Sequence, residues 1–266
     1  MDSVTNPSGG YRHAPGIRPY SAGVRADDDH LIVRVTLTER TTWLDGFALI
    51  DRVLADQGRP AQALCAVELR CPAPHSFDGF GSFNDDYRQA LDQRRILLAD
   101  GTNPVARTNV APHIETPHIG IGAVTELHAF SYTVSSTVAG GTRGDTAGRR
   151  PSFVIAGAGD LHDQSDLRPE AIVGGQSPWA DSGPARAAAV LDEMEARLSA
   201  LDLTWTDTDS VVVYSVERIG AVMESTILPR LGAAARNGVH WYHARPPIEG
   251  LLFEMDTRGG VIERRI

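Results

Sequence analysis

The chain has 266 residues, room for one large domain or two of about 100–150 residues. Its 42% hydrophobic and 22% charged residues suit a packed globular protein and exclude a disordered one. Lys and Arg number 25 against 34 Asp and Glu, a net charge of −9, which argues against nucleic acid or an anionic membrane as partner. A small anionic substrate stays open, because a few local arginines can override the global sign.

The N-terminal MDSVTNPSGG lacks the apolar core of a signal peptide, and no apolar run approaches a membrane span. Cys65 and Cys71 form no C-x-x-C pair, so both read as small buried hydrophobes in a reducing, cytoplasmic setting. Residues 1–19 carry Pro, Gly and Ser without periodicity and are expected to be a flexible lead-in.

From there the pattern becomes regular. His30–Thr38 reads as a strand. Trp43, Phe47, Ile50 and Leu54 recur at helical spacing, with Gly58 as the terminating residue. Ala63–Arg70 alternates as a strand, a helix is expected around Asn84–Leu97, and strands at Ala106–Ala111 and Ala123–Val134 follow. Residues 139–150, rich in Gly, Thr and Arg, read as a linker.

Beyond it the order repeats. Ser152–Gly157 is a strand, and Pro184 suits the first turn of a helix carrying Ala187, Leu191, Met194, Leu198 and Leu201 on one stripe. A strand at Asp209–Val216, a helix around Ala221–Ala235 and strands near Val239–Ala244 and Leu251–Thr257 complete the unit. The expectation is an α+β protein of two tandem domains, 20–138 and 151–266, each a mixed β-sheet with two helices on one face.

No G-x-S-x-G elbow, GK[ST] phosphate loop or H-E-x-x-H motif is present. His113, Glu115, His118 and His128 are the densest ligand-type cluster. Their spacing lies in a Pro-flanked loop rather than on one helix face, so no metal and no cofactor is expected. Arg107, set between apolar neighbours in a short strand, needs an anionic partner if it points inward. Glu126 on the next expected strand can be that partner in a structural salt bridge. Alternatively, Arg107 holds a substrate carboxylate while Glu126 orients a water.

These residues carry a resemblance. Pro104-Val-Ala-Arg107-Thr, the segment around Glu126, and Phe80, Phe83, Asn84 and Tyr87 resemble the RidA/YjgF family. In the second half, Leu203-Thr-Trp205-Thr-Asp207 with Val211–Tyr214, and Gly250-Leu-Leu-Phe-Glu254-Met-Asp256, resemble the same family, as does Tyr20-Ser21 at the start of the first half. The likeness spans nearly all of residues 20–260 as two copies.

It implies a chorismate-mutase-like fold in rings of three domains, with sites at the interfaces, and hydrolytic deamination of imines or enamines of carboxylic acids, 2-aminomuconate-like compounds among them. By that resemblance Arg107 binds the substrate carboxylate and Glu126 activates water. Tyr20, Asn84 and Asn109 contact substrate. Glu254, His240 and Arg245 are the candidates of the second copy. The sequence departs from the family where Val33-Arg34 and Ala156-Gly157 stand in place of a Ser-Gly, and where Val239-His240 replaces the second arginine.

A chorismatase-like enzyme, suggested by Ile248–Glu254, and a non-catalytic ligand-binding module are the alternatives. Because helices cover only one face of each expected sheet, and two copies do not fill a three-domain ring, a homo-oligomer is expected, a trimer foremost.

Overall fold

The computed structural model describes residues 3–112, 124–137 and 150–266. In chain order the strands and main helices are β1 (Val4–Asn6), β2 (Tyr11–Ala14), β3 (Gly23–Ala26), β4 (His30–Thr36), α1 (Trp43–Asp56), β5 (Leu64–Arg70), α2 (Phe77–Gln93), β6 (Ala106–Pro112) and β7 (Glu126–Ser135). Then come β8 (Phe153–Gly159), α3 (Trp179–Ala200), β9 (Ser210–Tyr214), an irregular helical segment at 220–237, β10 (His240–Tyr242), β11 (Ala244–Arg245), β12 (Glu254–Gly259) and β13 (Ile262–Arg265).

Among the described residues they build two mixed sheets, one ordered β1-β2-β3-β8-β12-β9-β10 and the other β11-β6-β5-β7-β4-β13. The inner strands of both follow one plan. β5 lies parallel to β6 and antiparallel to β7, which pairs antiparallel with β4. Likewise β9 lies parallel to β10 and antiparallel to β12, which pairs antiparallel with β8.

The local causes are legible. Thr42 caps α1 by accepting from the Asp45 N–H, and Trp43, Phe47, Ile50 and Leu54 bury the inner stripe. Gly58, with φ of 63°, ends the turn. α2 begins earlier than its periodicity predicts. Ser76 caps it, accepting from the Gly79 N–H at 3.1 Å, although Gly79 and Gly81 weaken the helical signal over that first turn. α3 likewise starts at Trp179, so Pro184 sits inside the helix rather than in its first turn.

Helices α1 and α2 pack on one face of the six-stranded sheet, through Phe47, Ile50, Tyr87 and Leu91 against Val33, Val67 and Phe130. α3 and the 220–237 segment cover one face of the seven-stranded sheet, through Leu191, Met194 and Leu198 against Ile155, Val213 and Met255. The remaining faces turn toward each other, with Tyr11, Val24, Ile32, Cys65, Ala106 and Val154 between them.

This arrangement corrects two expectations. Within the expected lead-in of 1–19, the described residues 3–19 are not loose. They supply β1 and β2, and Tyr11 is fully buried with its hydroxyl donating to the Leu64 carbonyl at 2.9 Å. The uncovered faces from which a homotrimer was argued also cover each other here, which removes that argument. Most of the 139–150 linker lies outside the described residues. Both cysteines are buried and unbridged, and no helix among the described residues is long and apolar enough to cross a membrane.

The halves also trade strands. β3 pairs with β8 of the later half, whereas β13, at the far end of the chain, runs parallel to β4. β11 adds to β6.

Candidate active site

A cleft lies at the seam between the sheets, lined by residues from both. One side is polar, with Tyr20, Arg107, Asn109, Gln164 and Glu254. The other is an apolar wall of Phe80, Leu161, Leu167, Ile248 and Leu251.

Arg107 is held by β6 and is 2% exposed. Its Nη2 donates to Asn84 Oδ1 on α2 at 2.5 Å. Tyr20, Tyr87, Phe80 and Phe83 surround the guanidinium, with ring centroids 4.6, 4.7, 5.5 and 5.6 Å from its central carbon. Among the described residues no carboxylate pairs with it, and its Nη1 is buried without a hydrogen-bond partner. Burial pushes its pKa down, against the pull of Tyr20, Tyr87 and Glu254. A caged guanidinium with an idle donor at a cleft can receive an anion, and its fork fits a carboxylate.

Two residues along β6, Asn109 also lines the cleft. It is 3% exposed, and both ends of its amide lack partners. Tyr20 is brought beside Arg107 by its neighbour, since Ser21 N–H and Oγ donate to the Val105 and Pro104 carbonyls that lead into β6.

Glu254 arrives from the other sheet. It opens β12, between Gly159 of β8 and Tyr214 of β9, and is 3% exposed. Burial pushes its carboxyl pKa well up and Asp256 adds to the rise, while Arg197 and Arg70 pull it back. Gly157 makes room for it, because a Cβ there would overlap Glu254 Oε1. Behind it, the buried Asp160 pairs with Arg186 and accepts from the Leu252 N–H at 3.2 Å. That clamp fixes the turn leading into Glu254.

Arg107, Asn109, Tyr20 and Glu254 therefore meet in one cleft. Asn84 stands behind, orienting Arg107. Glu126 does not join them. It starts β7 opposite Arg70, three register positions from the strand pair that carries Arg107, and its carboxylate is bound by Arg40, with Nε at 2.9 Å. The expected Arg107–Glu126 pair is therefore not formed, and the carboxyl that shares the cleft with Arg107 is Glu254. Spacing along the chain suggests partners on neighbouring strands of one sheet, whereas this cleft forms between sheets.

His240 is exposed on the edge strand β10, and the exposed Arg245 extends β6 through β11; neither lines the cleft. His113, Glu115 and His118 lie outside the described residues. His128 is pushed down to about 4, chiefly by burial and then by Arg70, and the described residues contain no group of three potential metal ligands. Gly157, Gln164 and the 160–178 segment carry no periodic signal. The one sequence sign of their role is Ala156-Gly157 standing where the resembled family has Ser-Gly.

Residues 3–264 match the family described as 2-aminomuconate deaminase CnbZ. The chain belongs to that family. It is 36% identical over 266 residues to a 2-amino-5-chloromuconate deaminase of Comamonas testosteroni, with 98% of each chain covered. Among solved structures, a chorismatase aligns with 97% of this chain and 79% of its own, at 16% identity and a TM-score of 0.45. A YjgF-family protein of Neisseria meningitidis aligns with 47% of this chain and 93% of its own, at 18% identity and a TM-score of 0.23.

Proposed function

We propose that this protein is a hydrolytic deaminase of an enamine or imine carboxylic acid of the 2-aminomuconate type. The observation that carries the reading is Arg107, a buried, aromatic-caged guanidinium with no carboxylate partner among the described residues, sharing a cleft with the buried carboxyl of Glu254. Family membership and the 36% identical relative supply the substrate class.

Arg107 takes one substrate carboxylate, and the Asn109 amide satisfies a second polar group. The carbon chain lies along Phe80, Leu161, Ile248 and Leu251. Glu254, as carboxylate, takes a proton from water as its oxygen bonds to the C=N carbon. The resulting acid passes that proton to nitrogen, ammonia leaves as the C=O forms, and the hydroxyl proton returns to Glu254. A carboxyl raised by burial suits both steps, since it is a stronger base than a solvated one and still a competent acid.

The two sheets' shared plan, β6-β5-β7-β4 and β10-β9-β12-β8, supports reading the halves as two RidA-like copies that together make one cleft, with arginine from the first and glutamate from the second. The test is ammonia release from 2-aminomuconate generated in the assay. Wild type is expected to accelerate it, and Arg107→Ala to raise KM by about 10²-fold, in line with truncating a buried charge pair. An unaccelerated reaction would dismiss the reading.

A further inference from the structure

An enamine is not yet an electrophile at the carbon bearing nitrogen. The nitrogen lone pair is delocalised onto the conjugated carbon chain, and water adds only after one of those carbons takes a proton and C=N forms. Some group in the cleft must deliver that proton. Among the described lining residues, two side chains carry a proton they can transfer to carbon, the Glu254 carboxyl and the Tyr20 phenol. The amides of Asn109 and Gln164 do not, and the opposite wall is apolar. Tyr20 lies against the Arg107 guanidinium, 4.6 Å from ring centroid to central carbon, at the end that holds the carboxylate. Glu254 enters from the other sheet, in the space that Gly157 leaves open.

Resting on the deaminase reading, we propose that Glu254 first protonates the chain carbon next to the one bearing nitrogen in the bound enamine, so that the cleft is a tautomerase as well as a hydrolase. The C=C electron pair forms the new C–H bond, the nitrogen lone pair forms C=N, and Glu254 is left as carboxylate. It then takes a proton from water as oxygen attacks the iminium carbon. The regained proton goes to nitrogen, C–N breaks, and ammonia departs. The hydroxyl proton returns to Glu254 as the carbonyl closes. Enamine and water give oxo acid and ammonia, with the acid restored. Burial, which keeps Glu254 protonated above the ordinary carboxylate range, agrees with its starting the cycle as an acid.

The same steps run backwards on the product. The Glu254 carboxylate then removes a proton from the carbon beside the carbonyl of a 2-oxo acid, and solvent hydrogen replaces it. The experiment incubates the protein in D₂O with 2-oxoadipate, a six-carbon 2-oxo dicarboxylate, and follows the C3 methylene by proton NMR. The signal is expected to decay about 10²-fold or more faster than in buffer, the contribution typical of a positioned acid–base group. Glu254→Gln should abolish the acceleration while still binding 2-oxoadipate by calorimetry, which shows that it is folded.

If the signal decays only at the buffer rate while the same preparation releases ammonia from a preformed imino acid, the tautomerase is overturned and the deaminase stands. If neither occurs, the deaminase reading falls and the tautomerase with it. Exchange that survives in Glu254→Gln and is lost in Tyr20→Phe assigns the proton to the phenol and overturns the proposal.

Discussion

On the proposed reading, the burial of Arg107 serves ligand binding at the expense of the fold. A guanidinium out of water, with no carboxylate beside it among the described residues, is costly even with four aromatic neighbours. Arg107→Met should therefore leave the melting temperature equal or higher while KM rises by about 10²-fold; a matching loss of stability would mean that the arginine is structural. Glu254 follows the same logic with a pH signature. Its folded pKa is raised, so the folded protein keeps a proton that the unfolded chain has released. The stability this group contributes is complete below the unfolded carboxyl value and is lost as pH rises through the folded one. In urea unfolding, wild type should lose stability with rising pH from about pH 5 upward, by at most about 1.4 kcal/mol per pH unit from this group, and Glu254→Gln should remove that slope. Parallel curves would show that Glu254 is not held protonated.

At the scale of elements, the clearest contrast is between α1 and the first three strands. α1 was legible because Trp43, Phe47, Ile50 and Leu54 repeat with helical period and Thr42 and Gly58 mark its ends. β1 to β3 were not legible, being three or four residues each and separated by Gly and Pro, and only β3 ties them to the sheet, by pairing with β8 more than 120 residues away. The cleft was hidden for the same reason. Tyr20, Arg107, Asn109 and Glu254 each stood out in the sequence, but the meeting of residues from β6 and from the start of β12 in one cleft between two sheets has no local signature. Tyr11 tests the element directly. Tyr11→Ala should cost about 3–5 kcal/mol in chemical denaturation and Tyr11→Phe about 1 kcal/mol, the latter for the bond to Leu64. Wild-type stability in both would restore a loose lead-in.

Across the whole molecule, the exchange of strands makes each half incomplete without the other. β3 belongs to the later half's sheet and β13 to the earlier one's, and β13 carries Glu263 to Arg34, which also grips Glu68 through bonds of 2.5 and 2.7 Å. Burial alone would raise Glu68, but Arg34 holds it below the ordinary carboxylate range, tying this ionic group to the packed state. Calorimetry should show one cooperative unfolding transition for the full chain, with calorimetric and van't Hoff enthalpies in agreement. Two separated transitions would mean that the halves fold independently and that the seam is not part of either core.

The cleft at that seam is the central claim, and it places the acid–base group on Glu254 rather than on Glu126. The most direct measurement is kcat for ammonia release by Glu254→Gln and Glu126→Gln, compared with wild type on 2-aminomuconate generated in the assay. Glu254→Gln should lose about 10²- to 10⁴-fold, as expected for removing a general acid–base, and Glu126→Gln, which gives up only a surface pair with Arg40, should stay within about twofold. A large loss in Glu126→Gln with wild-type turnover in Glu254→Gln would contradict the account.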